Sequence, residues 1–128
     1  MGERAQKFID ALWTLEGSRD VEPIADRFAA GADISNPLVK HAGEGERGAE
    51  TFWTHYRAAF GNIRSEFRHV VEEGDAALLE WVSEGDMGGT PIRYGGVSVL
   101  EFDGSPEGRL RAFRTYFDPT QLGAAAKG

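Results

Sequence analysis

Arginine, tyrosine and aspartate fall at alternate positions, Arg114, Tyr116 and Asp118, in the last stretch able to form a strand, Leu110 to Thr120 (LRAFRTYFDPT). Strand alternation sets them on one face with Leu110 and Ala112, and sets Arg111, Phe113, Thr115 and Phe117 on the other. A cation, a phenol and a carboxylate in line suggest a pocket wall able to hold charge and move a proton. Each also has a plainer reading. Asp118, before Pro119, suits a turn that ends the strand and accepts backbone N–H bonds. Arg114 suits an ion pair with Glu80, and Tyr116 and Tyr56 suit cavity lining with satisfied hydroxyls.

Other chemistries find little support. Cysteine is absent, which excludes disulfides, thiolate zinc sites and cysteine nucleophiles. His41, His55 and His69 form no HxH or HxxxH pair, so no metal and no cofactor is expected. GEGERG precedes a helix without the preceding strand that a phosphate-cradling loop needs. Fourteen basic residues against 21 acidic ones give a net charge of −7, the wrong sign for nucleic acid or an anionic membrane. No apolar run approaches the ~18 residues of a membrane span, and no leader pattern opens the chain, so a cytoplasmic location is expected.

One domain of 128 residues is expected, with residues 119–128 a partly frayed tail. Ala5, Phe8, Leu12 and Leu15 recur at helical spacing from Glu3 to Leu15, flanked by Ile9 and Trp13, with Gly17 as the stop. Asp20 caps a short second helix through Phe28. Ala32 to Val39 reads as an edge strand stopped by Asn36-Pro37, and His41 to Gly48 as a surface loop. Ala49 to Phe60 predicts a third helix with Phe52, Tyr56 and Phe60 on one side. The period then becomes that of strands. Ile63, Ser65, Phe67, His69 and Val71 share a face, which makes His69 an interior or interface histidine. Ala76 to Glu84, apolar on both faces apart from Glu80, Ser83 and Glu84, predicts a strand covered on both sides. Its inward face carries either Glu80 or Trp81. A hairpin loop over Gly85 to Pro91, a strand from Ile92 to Phe102 and a turn at Asp103-Gly104 lead to the final strand. Three helices, one early strand and a four-stranded meander make a single α+β domain.

The element order, ADISNPL after the second helix, GVSVLEF on the penultimate strand and RTYFDP on the last resemble the nuclear transport factor 2-like superfamily, over about Gln6 to Leu122. More narrowly the chain resembles the SnoaL-like branch of small cyclases. The resemblance implies a cystatin-like α+β cone, a strongly curved mixed sheet wrapped around N-terminal helices with an apolar cavity inside. It also implies a homodimer through the sheet, to which outward Phe113 and Phe117 would contribute.

Within this superfamily, ketosteroid isomerases use an aspartate before a proline, a first-helix tyrosine and a protonated late-strand aspartate. The matching positions here are Asn36, Phe8 and Ser98, which cannot perform that chemistry. Limonene epoxide hydrolases use an Asp-Arg-Asp set, two members of which fall on Trp81 and Ser83, or on Glu80 and Val82 after a one-residue shift, so only Asp118 remains. The histidine pair of scytalone dehydratases finds no match. SnoaL-type cyclases use one late-strand carboxylate as base in an apolar pocket. That resemblance implies Asp118 as base, Arg114 to orient it or neutralise substrate charge, and Tyr116 to donate to an enolate oxygen. Trp13, Asn36, Phe52, Tyr56, Phe60, Glu80, Trp81 and Ser98 are the expected ligand-binding residues. The expected function is binding of a hydrophobic small molecule with cofactor-free acid–base catalysis of cyclase, isomerase or lyase/hydratase type. The alternative is a non-catalytic ligand-binding or dimerising domain.

Overall fold

The structure, a computed structural model, describes residues 2–37 and 48–127, with side chains through residue 123. The expected loop from His41 to Gly48 lies outside these residues except for Gly48. Three helices come first, α1 (Glu3–Ser18), α2 (Glu22–Ala25) and, after strand β1 (Phe28–Ser35), α3 (Gly48–Ala59). Then follow β2 (Ile63–Glu73), β3 (Ala76–Met87), β4 (Thr90–Phe102), β5 (Leu110–Phe117) and a 3-10 helix over Pro119–Lys127. The sheet order is β1-β5-β4-β3-β2, with β1 parallel to β5 and the other pairs antiparallel. The result is the expected α+β architecture, an unclosed curved mixed sheet folded over α1.

The helical stripe of α1 is buried against the sheet through Ala5, Phe8, Ile9, Leu12 and Leu15. The helix passes Gly17 and stops at Arg19, which takes a left-handed conformation (φ 65°) and returns its N–H to the Leu15 carbonyl. The Arg19 guanidinium then donates to the carbonyls of Arg57 (2.7 Å) and Gly61 (2.9 Å), tying α1 to the end of α3. The other end of α1 lacks a side-chain cap of its own. Glu72 from β2 accepts the Ala5 N–H (2.9 Å) instead, and also pairs with Arg4 (2.8 Å).

Several strand boundaries differ from the sequence-based ones. β1 begins at Phe28 rather than Ala32, because Gly31 (φ 73°) absorbs a register shift between Phe28 and Asp33. β3 and β4 stay paired through Met87 and Thr90, leaving Gly88-Gly89, both at positive φ, as a two-residue hairpin. The stretch read as a loop from Gly85 is therefore ladder. Gly85 is required there, since a Cβ would stand 1.9 Å from the Asn62 carbonyl oxygen.

Two bulges change which side chains face the core. Arg68 is an extra residue between Phe67, opposite Trp81, and His69, opposite Glu80. Ile63, Ser65 and Phe67 therefore face inward, whereas His69 and Val71 face outward, so His69 is not an interior histidine. Arg111 is likewise extra between Leu110, opposite Phe102, and Ala112, opposite Glu101. Beyond it Phe113, Thr115 and Phe117 point inward, and Arg114 and Tyr116 point out. β3 is also not covered on both sides within this chain: Leu79 and Ala77 are buried, while Leu78 on the opposite face is 49% exposed.

Candidate functional site

Between α1, α3 and the concave face of the sheet lies a cavity of about 470 Å³, a size suited to a small organic ligand. Phe52, Tyr56 and Phe60, spaced four residues apart on α3, line one side of it. Trp81, Tyr94, Phe113 and Phe117 from β3, β4 and β5 line the other. Trp81 and Phe117 pack edge to face on Tyr94, each 5.1 Å from its centroid, and Phe60 stacks on Tyr94 at 6.2 Å. Two apolar clusters flank the space, one around Phe8, Phe28 and Trp53, the other around Phe60, Trp81 and Ile92.

Hydroxyl groups cross the floor of this cavity from strand to strand. Ser65 on β2 and Ser83 on β3 are register partners with their Oγ atoms 2.6 Å apart. Ser98 on β4 and Thr115 on β5 are also partners, 2.8 Å apart, and the Trp81 indole N–H donates to Ser98 Oγ at 3.0 Å. All four hydroxyl residues border the cavity. Buried hydroxyls need partners, and these find them mainly in one another.

Behind the Ser65 end stands Glu16, the group that sequence reasoning missed. Its carboxylate accepts three bonds: the Ser65 N–H (2.9 Å), the Ser65 hydroxyl (2.6 Å) and the Tyr56 hydroxyl (2.9 Å). Burial holds the Glu16 carboxyl above its ordinary value, outweighing the opposite pull of these hydrogen bonds. Tyr56 is raised well above its ordinary value, first by burial and then by the Glu16 charge, and Tyr94 is raised for the same two reasons. A signal for Glu16 existed: Phe8, Leu12 and Glu16 lie four residues apart, so a carboxylate continues the apolar face of the first helix.

The predicted site residues separate into two groups. Asn36, Phe52, Tyr56, Phe60, Trp81 and Ser98 border the cavity. Trp13, Glu80, Arg114, Tyr116 and Asp118 do not. Trp13 is 47% exposed and leans on Phe67 while its indole N–H donates to the Ser65 carbonyl. Glu80 is on the outer face, paired with His69 rather than with Arg114. Arg114 pairs with Glu101 (2.5 Å), which also holds Arg111 (2.9 Å), and the two guanidiniums depress the Glu101 carboxyl. Tyr116 is 56% exposed. Asp118 sits past the end of β5 and accepts the N–H and hydroxyl of Thr120 at the start of the 3-10 helix (3.0 and 2.8 Å), which lowers its pKa. Alternation counted from Leu110 turns this strip inward, and the Arg111 bulge reverses that count. Among the described residues no group of three or more His, Asp or Glu side chains is placed to hold a metal ion.

The raised Glu16 value carries a stability consequence with a definite sign. A carboxyl that binds its proton more tightly in the fold than in the unfolded chain favours the fold most when protonated, and this advantage is lost as pH rises from about 4.5 through the higher folded value. Glu16→Gln removes the titration. Its melting temperature relative to wild type is therefore expected to shift in the variant's favour as pH rises from about 4 to about 7, which calorimetry at stepped pH would show.

Comparisons with known proteins place this geometry in a family. A family model described as SnoaL-like domain matches residues 5–119. No curated protein matches the sequence. Among solved structures, an NTF2-like protein of unknown function from Burkholderia pseudomallei superposes with a TM-score of 0.81 at 14% identity, covering 98% of this chain and 99% of that one. An LEH-like epoxide hydrolase of M. tuberculosis gives 0.73 at 17% identity, covering 95% and 88%. The epoxide hydrolase/cyclase-like enzyme SalBIII, described in pyran ring formation in the polyether salinomycin, gives 0.75 at 20% identity, covering 93% of each chain. At such identities the superpositions speak for the fold alone. With nearly its whole length matched, this chain belongs to the SnoaL-like domain family, on the nuclear transport factor 2-like fold.

Proposed function

We propose that this chain binds a hydrophobic small molecule in the cavity and acts on it by cofactor-free acid–base chemistry, of the cyclase, isomerase or lyase/hydratase type. The observation that carries the reading is an aromatic-walled space of about 470 Å³ whose floor is crossed by Ser65, Ser83, Ser98 and Thr115. A purely structural core would fill such a space, because packed interiors leave few voids larger than a water molecule. Reactions of this class move a proton between carbon and oxygen and gain from a water-poor site beside a carboxylate of raised basicity. Glu16, bonded to the cavity residues Tyr56 and Ser65, supplies that carboxylate. Arg114, Tyr116 and Asp118 stay outside this proposal, since none borders the cavity. The similarity in fold to an epoxide hydrolase and a cyclase-like enzyme is compatible with the reading.

The test is a thermal-shift screen of aromatic polyketides, steroids, terpenoids and fatty acids against wild type and Thr115→Trp, which fills the floor of the cavity. A ligand at 100 times its Kd adds about 2.7 kcal/mol, on the order of 10 °C for a domain of this size. Such shifts are expected for wild type and not for a folded Thr115→Trp protein. No shift with any class would refute the proposal.

The outer sheet face supports a second proposal, a homodimer through the sheet. Phe113 and Phe117 face the cavity and play no part in it. Val71 (56% exposed), Leu78 (49%) and Tyr116 (56%) supply the apolar surface, with Val71, Leu78 and Val99 aligned across three strands. Light scattering is expected to give twice the chain mass for wild type and the single chain mass for Leu78→Glu; a monomeric wild type would contradict it.

A further inference from the structure

We propose that the cavity has two hydrogen-bonding ends of opposite polarity, and that its ligand is an elongated hydrophobic molecule with a hydroxyl donor at one end and a carbonyl acceptor at the other. This deepens the small-molecule reading above and rests on it.

The first end is set by Glu16. A carboxylate only accepts, so the hydroxyls that touch it must donate. Tyr56 spends its single proton on Glu16 Oε2, and Ser65 spends its own on the same oxygen. Ser65 Oγ then has only lone pairs for Ser83, so across the 2.6 Å contact Ser83 is the donor. Every proton in this chain points toward Glu16. What Tyr56 and Ser83 retain for a ligand is acceptor capacity, which calls for an O–H or N–H group. Tyr94, register partner of Ser83, also borders the cavity, and its hydroxyl can serve either polarity, so the acceptor character of this end rests on Tyr56 and Ser83.

The second end is set by Trp81. An indole N–H only donates, and it occupies a lone pair of Ser98 Oγ at 3.0 Å. Ser98 and Thr115 hold two hydroxyl protons, and their 2.8 Å contact uses one of them, whichever residue donates. One O–H proton remains in either arrangement, and both residues border the cavity. This end therefore presents a donor, which calls for a carbonyl or ether oxygen. The sheet thus carries a carboxylate-terminated chain on β2 and β3 and an indole-initiated chain on β4 and β5.

The separation sets the ligand's length. Ser83 is opposite Tyr94 and Ser98 is opposite Leu79, so the two ends stand four residues apart along the sheet. At ~3.3 Å per residue along the strands and ~4.8 Å across to the neighbouring strand, that is about 14 Å. A hydrogen bond of ~2.8 Å at each end leaves roughly 8–9 Å between the ligand's own polar atoms, the scale of a two-ring skeleton substituted at opposite corners. Aromatic side chains line the space between.

The polarity also defines what the acceptor end can do. A ligand O–H that bonds Tyr56 Oη can pass its proton there as the Tyr56 phenol proton passes to Glu16 Oε2. Two O–H bonds break and two form, leaving the ligand as an oxyanion, Tyr56 neutral and Glu16 neutral. The step needs no further reactant. Tyr56 is then the catalytic residue and Glu16 the positioning residue behind it.

Three fluorescent naphthalenes test this directly: 6-acetyl-2-naphthol, its methyl ether (which lacks the donor) and 6-ethyl-2-naphthol (which lacks the acceptor). Their Kd values are measured by titration with wild type, Glu16→Gln and the double variant Ser98→Ala/Thr115→Val. Wild type is expected to bind 6-acetyl-2-naphthol about tenfold more tightly than either analogue. In Glu16→Gln the amide can donate to Tyr56 Oη and turn the phenol proton toward the ligand, so the preference for naphthol over methyl ether should vanish or invert while that for acetyl over ethyl persists. In the double variant the pattern should be the reverse. A merely structural role for Glu16 would weaken all three ligands together. Equal binding of the three by wild type, or a naphthol preference that survives Glu16→Gln, overturns the polarity while leaving the binding cavity intact. Failure of all three to bind wild type overturns the small-molecule reading as well.

Discussion

Phe113→Ala is expected to cost about 3–5 kcal/mol, the range for removing a buried aromatic ring from a packed core. Phe113 is 3% exposed and is the ring on which both helices converge. Its centroid stands 5.4 Å from Phe8 of α1 and 5.5 and 6.3 Å from Trp53 and Phe52 of α3, with Phe28 of β1 at 6.0 Å. Edge-to-face contacts of this kind add to the area term. A loss of this size is a large share of the ~5–15 kcal/mol that domains typically possess. Chemical denaturation is expected to show a lower midpoint at unchanged slope, which separates lost stability from an altered denatured state. Because Phe113 also borders the cavity, the protein that remains folded should bind aromatic ligands more weakly.

Gly96→Ala should damage the cavity from the opposite direction, by overpacking. A Cβ at Gly96 would lie 2.3 Å from the Tyr116 carbonyl oxygen, 2.9 Å from Cζ2 of Trp81 and 3.0 Å from Cβ of Phe117. The first is backbone on the paired strand, with Gly96 directly opposite Phe117, so β4 and β5 must separate to admit the methyl group. The other two belong to cavity walls. Overpacking costs typically about 1–3 kcal/mol, and this site belongs at the upper end because backbone has to give. Displacing Trp81 also pulls its N–H from Ser98, so the donor end loses its anchor. A lowered melting temperature together with weaker binding of 6-acetyl-2-naphthol is the expected result. Wild-type stability would show that β4 and β5 yield more easily than their register implies.

Much of the scaffold was legible because it depends on period and on breakers. The aromatic side of α3 follows from Phe52, Tyr56 and Phe60 at four-residue spacing, and the meander follows from alternating strands cut by Gly74, the stretch Gly85 to Pro91 and Gly104. Which face looked inward was not legible on β5. An inserted residue reverses every later side chain, and the inserted residues, Arg68 and Arg111, are ordinary arginines with no glycine or proline to mark them. The strip Arg114, Tyr116 and Asp118 reads as a site from strand alternation and from the resemblance to SnoaL-type cyclases, whereas in the fold it is an outer-face ion pair, an exposed phenol and a helix-capping carboxylate. Of the hydroxyl floor only Ser98 was legible: Ser65, Ser83 and Thr115 are ordinary residues singly and join it as a set only when register aligns them. Glu16 could be read, as a carboxylate on the Phe8–Leu12 face of a helix whose other inward positions are apolar.

A crystal structure of the protein soaked with 6-acetyl-2-naphthol tests the central claim most directly. Ligand density is expected between Phe60, Trp81 and Phe113, with the naphthol oxygen at Tyr56 and Ser83 and the acetyl oxygen at Ser98 and Thr115. An empty cavity at a ligand concentration that saturates a working site, or density only on the outer face of the sheet, would contradict it.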